Sequence, residues 1–153
     1  MRTCKQFLAL SVMFSLIVFS ACNKDKEKDK EVKTKVELTG AQEVPVKTTP
    51  AKGTADVSYN KTTRLLTYTI NWSALTGMPT GSHIHGPVPR GVNAPIKHDF
   101  FALFPKTTSG TFTNAVMVDG VALKEDSLLK GFYYFNIHTP MNPGGEIRGQ
   151  IEF

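Results

Sequence analysis

The chain has 153 residues and a formal net charge of +5, which is room for one ordinary domain with a real hydrophobic core. Arg2 and Lys5 hold part of that charge, and a chain that had lost both would carry +3. This mild excess comes with no basic patch interleaved with aromatics, so nucleic acid is excluded as an expected partner.

The first stretch, M-R-T-C-K-Q-F-L-A-L-S-V-M-F-S-L-I-V-F-S-A-C, has the plan of a secretory signal peptide: a charged start, an apolar run from Phe7 to Phe19, then small Ser20 and Ala21. The run is shorter than the roughly 20 residues that cross a bilayer. Its ending, F-S-A-C, resembles a bacterial lipobox, which implies cleavage after residue 21 and a lipid on Cys22. Cys4 would leave with the signal, residues 1–21, and Cys22 would become the anchor. The mature chain would then have no free thiol for a disulfide, a nucleophile or a metal. Next comes N-K-D-K-E-K-D-K-E-V-K-T-K, in which lysine alternates with acid. Such a segment cannot bury enough surface to order itself. Residues 22–34 are therefore expected to be the lipidated cysteine and a flexible charged tether, and residues 35–153 one domain. The expected location is an exported, membrane-anchored bacterial lipoprotein, at the outer membrane or cell surface.

From there the pattern has period two. In T-A-D-V-S-Y-N (54–60), Ala55, Val57 and Tyr59 share a face, and in R-L-L-T-Y-T-I-N-W (64–72) Leu66, Tyr68, Ile70 and Trp72 do. The intervening N-K-T-T reads as a hairpin connection. T-F-T-N-A-V-M-V (111–118) is a further strand with Asp119-Gly120 behind it as a turn signal. A-L-K-E-D-S-L-L-K (122–130) could form a helical turn or two. F-Y-Y-F-N-I-H-T (132–139) and E-I-R-G-Q-I-E-F (146–153) close the chain, joined by P-M-N-P-G-G. Many short strands without βαβ alternation predict an all-β fold, an antiparallel sandwich or Greek-key barrel-like domain.

Alternation also sorts polar side chains. In S-H-I-H-G (82–86), His83 and His85 must project from one face and Ile84 from the other. If Ile84, Ile137 and Ile147 enter one core, then His83, His85, His138, Asn136, Glu146, Arg148 and Gln150 lie outward. Which of them are neighbours depends on strand order, which alternation does not reveal. Gly86 should end a strand before Pro87, Gly144 and Gly145 should allow positive φ, and Gly149 should mark a bulge or a close backbone contact.

Two segments, S-H-I-H-G-P…G (82–91) and F-N-I-H-T-P-M-N-P-G-G-E-I-R-G-Q-I (135–151), resemble the CHRD domain, named for its occurrence in chordin. An upstream L-T-G-A-Q-E-V-P (38–45), with Glu43 and Pro45, is similar to that domain's opening segment, although Val46 stands where a second proline is usual. The resemblance spans about residues 35–153 and implies a compact β-sandwich-like domain of the kind found in many bacterial secreted and lipid-anchored proteins. It implies little about chemistry. The H-x-H also resembles the copper-ligand strand of copper/zinc superoxide dismutases. No second histidine-rich loop, disulfide pair or obvious fourth copper ligand accompanies it, so dismutase chemistry is not expected.

Two functional readings follow. The first is a binding or structural module on the cell envelope, held to the membrane by its N-terminal lipid and facing an envelope or extracellular protein. Tyr134 would then be the best aromatic candidate for a contact surface. The alternative is a Cu or Zn site made by His83, His85 and His138. Glu146 would be a fourth ligand there, or the acceptor that fixes an imidazole tautomer; Glu146 and Arg148 could equally form an ion pair. A bare H-x-H is more often a pair of exposed or hydrogen-bonded histidines, and His98 reads as a surface or loop residue. Hydrolysis is not expected: there is no G-x-S-x-G, and Ser82 and His83 point to opposite faces.

Overall fold

In the computed structural model, which describes residues 30–153, the period-two segments are strands. They are β1 (Glu31–Thr39), β2 (Lys52–Asn60), β3 (Leu65–Ser73), β4 (Gly81–His85), β5 (Ile96–Asp99), β6 (Gly110–Met117), β7 (Tyr133–Thr139) and β8 (Asn142–Ile151). All neighbours are antiparallel, in one eight-stranded sheet of order β5-β4-β7-β8-β1-β2-β3-β6. The sheet curls until its two ends meet. Phe100, directly after β5, stacks on Phe112 of β6 with ring centroids 5.7 Å apart. The result is a nearly closed barrel, and among the described residues β6 bonds to β3 on one side and to no further strand on the other.

Alternation predicts the core correctly. Ala55, Val57 and Tyr59 of β2 and Leu66, Tyr68 and Ile70 of β3 are buried against Ile84, Phe135, Ile137 and Ile147. Tyr68 meets Phe135 at 5.0 Å and Phe100 at 5.4 Å in tilted pairs, a geometry that adds about 0.5–1.5 kcal/mol per pair beyond the area buried. The expected helical turn is α1 (Glu125–Leu129). Acidic Glu125 and Asp126 sit in its first turn, where the helix dipole favours them, and Leu128 is buried.

Several boundaries differ from the sequence reading. β1 begins at Glu31, so residues 31–34, assigned by composition to the tether, are strand: Val32, Thr34 and Val36 pair with Tyr59, Val57 and Ala55 of β2. Pairing to a formed neighbour overrides a composition that could not order itself. β8 begins at Asn142, leaving only Pro140 and Met141 as the turn from β7. His98 is on strand β5, paired with Ile84 and half-buried, not in a loop. The signal peptide, Cys4 and Cys22 lie outside the described residues.

Gly149 behaves as its strand position requires. A Cβ there would stand 2.5 Å from the Glu37 carbonyl oxygen and 2.6 Å from Val36 Cγ1. Only glycine lets β8 lie this close to β1.

The polar face of β7 and β8 is not outward. Tyr134 is 2% exposed, Asn136 3%, Arg148 1% and Gln150 4%. Two loops cover them, each tied down by the residues it covers. Arg148 donates to the Val92 carbonyl at 2.8 Å and to Asn93 at 3.3 Å. Gln150 donates to the Val88 carbonyl at 3.1 Å, and Asn136 donates to the Glu43 carboxyl at 2.9 and 3.1 Å. Beneath the loops, the outer face of the sheet forms a second, polar layer.

Candidate functional site

β4 lies beside β7, in register Gly81↔His138, His83↔Asn136 and His85↔Tyr134. This pairing puts the two histidines of S-H-I-H-G and the histidine of N-I-H-T on one face of adjacent strands. His83 Nδ1 stands 3.1 Å from His138 Nε2. One ring nitrogen from each of His83, His85 and His138 lies within 4.8 Å of the others. Among the described residues this is the only such grouping of three or more histidine, cysteine or carboxylate side chains.

The rings are held from behind. His85 Nδ1 is 2.9 Å from the Ala94 carbonyl and His138 Nδ1 is 3.0 Å from the Pro143 carbonyl. A carbonyl only accepts, so each Nδ1 carries the proton and each Nε2 presents a lone pair. His138 Nε2 accepts from His83 Nδ1, and His85 Nε2 is buried without a partner. His83 Nε2 faces Asp99 Oδ1 of β5 at 3.8 Å. Burial pushes the His83 imidazole down to about 4, helped by His138 and His85 and opposed by Asp99. Burial lowers His85 and His138 as well, against the opposing pull of their carbonyl partners. All three rings are therefore neutral near pH 7, the state in which imidazole is a ligand.

His85 lies flat on Tyr134, with centroids 5.0 Å apart and planes at 7°. The guanidinium of Arg148 sits over the Tyr134 ring at 3.4 Å. The Tyr134 hydroxyl accepts from the Ala94 backbone N–H at 3.1 Å. Tyr134, the expected surface aromatic, is thus the filling between a histidine and an arginine, locked by the covering loop.

Glu146 does not join the histidines. Its carboxylate accepts from Thr49 Oγ1 at 2.5 Å, Thr139 Oγ1 at 2.7 Å, Thr76 Oγ1 at 2.9 Å and Thr76 N at 3.1 Å. Nor does it pair with Arg148, whose bonds go to Val92 and Asn93. The register of β7 and β8 shifts between Ile137 and Thr139, so strict alternation does not carry from Ile147 back to Glu146. Burial alone would raise this carboxyl, but the threonine hydroxyls and the Thr76 N–H hold it below the usual value. Gly145 adopts φ +124°, and a Cβ there would strike Asn136 and Glu43 at 2.6 Å. Gly144 has no positive φ and no close neighbour; Gly86 ends β4 as expected. Pro45 is exposed in the loop that follows buried Glu43.

Gly81 was not singled out by the sequence, yet it makes the histidine pair possible. A Cβ at Gly81 would stand 2.8 Å from the His83 ring and 3.1 Å from the His138 ring. Nothing in the sequence marks the Ala94 and Pro143 carbonyls or Asp99 as partners of the rings, because each comes from a separate loop or strand.

A nearly closed, eight-stranded antiparallel barrel with a polar layer buried under two loops defines the class. The family model of the CHRD domain matches residues 34–151, from β1 through β8. The chain belongs to the CHRD domain family. No curated protein and no solved structure matches it.

Proposed function

We propose that this chain is an exported lipoprotein whose CHRD domain is displayed at the cell envelope as a binding module. The observation that carries the reading is the pinning of the two covering loops. Arg148, Gln150 and Asn136 hold residues 43–44 and 88–94 from beneath. Loops ordered before any encounter lose little entropy on binding, which favours recognition. Their exposed tops include Pro87, Pro89, Arg90 and Val92, a mixed surface suited to an envelope or extracellular protein. The lipobox-like F-S-A-C supports attachment through Cys22.

Palmitate labelling of cells producing wild type or Cys22→Ala tests the anchor. Wild type is expected in the membrane fraction with label, and Cys22→Ala without label; an unlabelled wild type would overturn the lipoprotein reading. Cross-linking on intact cells tests the module. Cross-links to one protein concentrated on residues 86–95 support it, and cross-links scattered over the barrel count against it.

A further inference from the structure

We propose that His83, His85 and His138 form a three-nitrogen site for a first-row transition ion, Cu²⁺ or Zn²⁺. Such a site belongs to the folded domain alone and requires neither the lipid anchor nor the loop surface.

The donor set is Nδ1 of His83, Nε2 of His85 and Nε2 of His138. Tetrahedral coordination at about 2.0–2.1 Å places ligand nitrogens about 3.3 Å apart. The His83–His138 pair already stands at 3.1 Å, and a nitrogen of His85 lies within 4.8 Å of the others, so binding one ion draws the three together by up to about 1.5 Å. The buried Nε2 of His85 is an acceptor without a partner on a ring that brings a nitrogen within 4.8 Å of the other two, and a bound cation supplies what it lacks. Two of the three rings are fixed by carbonyls behind them, the arrangement that orients ligating imidazoles and sets their tautomer.

His83 needs one change. Its Nδ1 carries the proton shared with His138, and metal binding requires that nitrogen bare. The proton moves to Nε2, which faces the negative charge of Asp99 at 3.8 Å, beyond hydrogen-bond distance but close enough to favour it there. Asp99 is thus the group that favours the metal-ready tautomer. The rival positive charge in the neighbourhood is Arg148, which lies across the ring of Tyr134 from His85 and helps keep His85 neutral.

Three imidazoles without a thiolate or a carboxylate suit Zn²⁺ and Cu²⁺ and offer nothing to Ca²⁺ or Mg²⁺, which take oxygen. Among divalent ions Cu²⁺ should bind most tightly. His83 and His138 are only partly buried, which leaves a fourth position open to water or a partner's donor.

The plain alternative is that the histidines only cross-link β4 to β7. The test uses the untagged full-length protein in detergent, titrated with CuCl₂ and ZnCl₂ by calorimetry. Variants are His83→Gln, His85→Gln, His138→Gln and, as a control outside the site, Glu146→Gln. One ion per chain at micromolar affinity or better is expected, weakened about tenfold or more by each histidine change and unaltered by Glu146→Gln. Wild-type binding that survives all three histidine changes, or none at micromolar metal, overturns the proposal. Because a histidine variant can misfold, EPR of the wild-type Cu²⁺ complex gives a second reading. Hyperfine coupling to three nitrogens supports the site, and coupling to fewer than two refutes it. Ca²⁺ matching Zn²⁺ in the titration would also refute it.

Discussion

Glu43 titrates against the fold. Burial raises its carboxyl to about 7, and the Asn136 amide, Arg148 and Lys47 offset only part of that effect. Between the ordinary value of 4.5 and about 7, the unfolded carboxyl is ionised while the folded one keeps its proton. Folding then takes up a proton, so this group's contribution to stability is present below pH 4.5 and is lost as pH rises through 7. The histidines act in the opposite sense. His83 is held neutral down to about 4, so its contribution is lost as pH falls from 6.5 towards 4. Comparing wild type with Glu43→Gln isolates the carboxyl. Urea unfolding of both at pH 5 and pH 8 should show the variant gaining on wild type by at most about 3 kcal/mol across that range. Parallel pH profiles would show that Glu43 is not held protonated. The sequence marks Glu43 through the A-Q-E-V-P segment, but its burial on the underside of its loop, against Asn136, is a tertiary fact that no local pattern carries.

At the scale of elements, alternation succeeds wherever a strand is regular. Tyr133, Phe135 and Ile137 of β7 face the core, and Tyr134, Asn136 and His138 face away from it. It fails at the start of β8, where the register shift turns Glu146 towards Thr49, Thr76 and Thr139. There the carboxylate ties two loops to the end of β7. Removing a buried acceptor leaves its donors without partners, at about 1–3 kcal/mol and more when the acceptor is charged. Glu146→Ala should therefore cost about 3 kcal/mol or more in chemical denaturation, with Glu146→Gln in between because it keeps one acceptor oxygen. An alanine variant within about 0.5 kcal/mol of wild type would mean that the threonine contacts contribute nothing. Period two separates two faces of a sheet, and it is silent about loops that later cover one of them.

For the whole molecule, the fold class was legible and the strand order was not. Local pattern reveals that His83, His85 and His138 share a kind of face; only the adjacency of β4 and β7, strands separated by two others in the chain, brings them together. The same topology leaves β6 as a terminal strand. It has eight residues, G-T-F-T-N-A-V-M, with no charge and no proline. Natural edge strands are usually blunted by one or the other. Ala115 faces solvent opposite Thr67, so Ala115→Lys should leave the melting temperature nearly unchanged while lowering any concentration-dependent association in sedimentation velocity. Equal association by both proteins would clear the edge of a role. Copies tethered to one surface would be crowded far beyond their bulk concentration, with this row of unpaired amides and carbonyls at each barrel's open seam. The seam that keeps the sheet from closing on itself is therefore where one molecule could continue into the next.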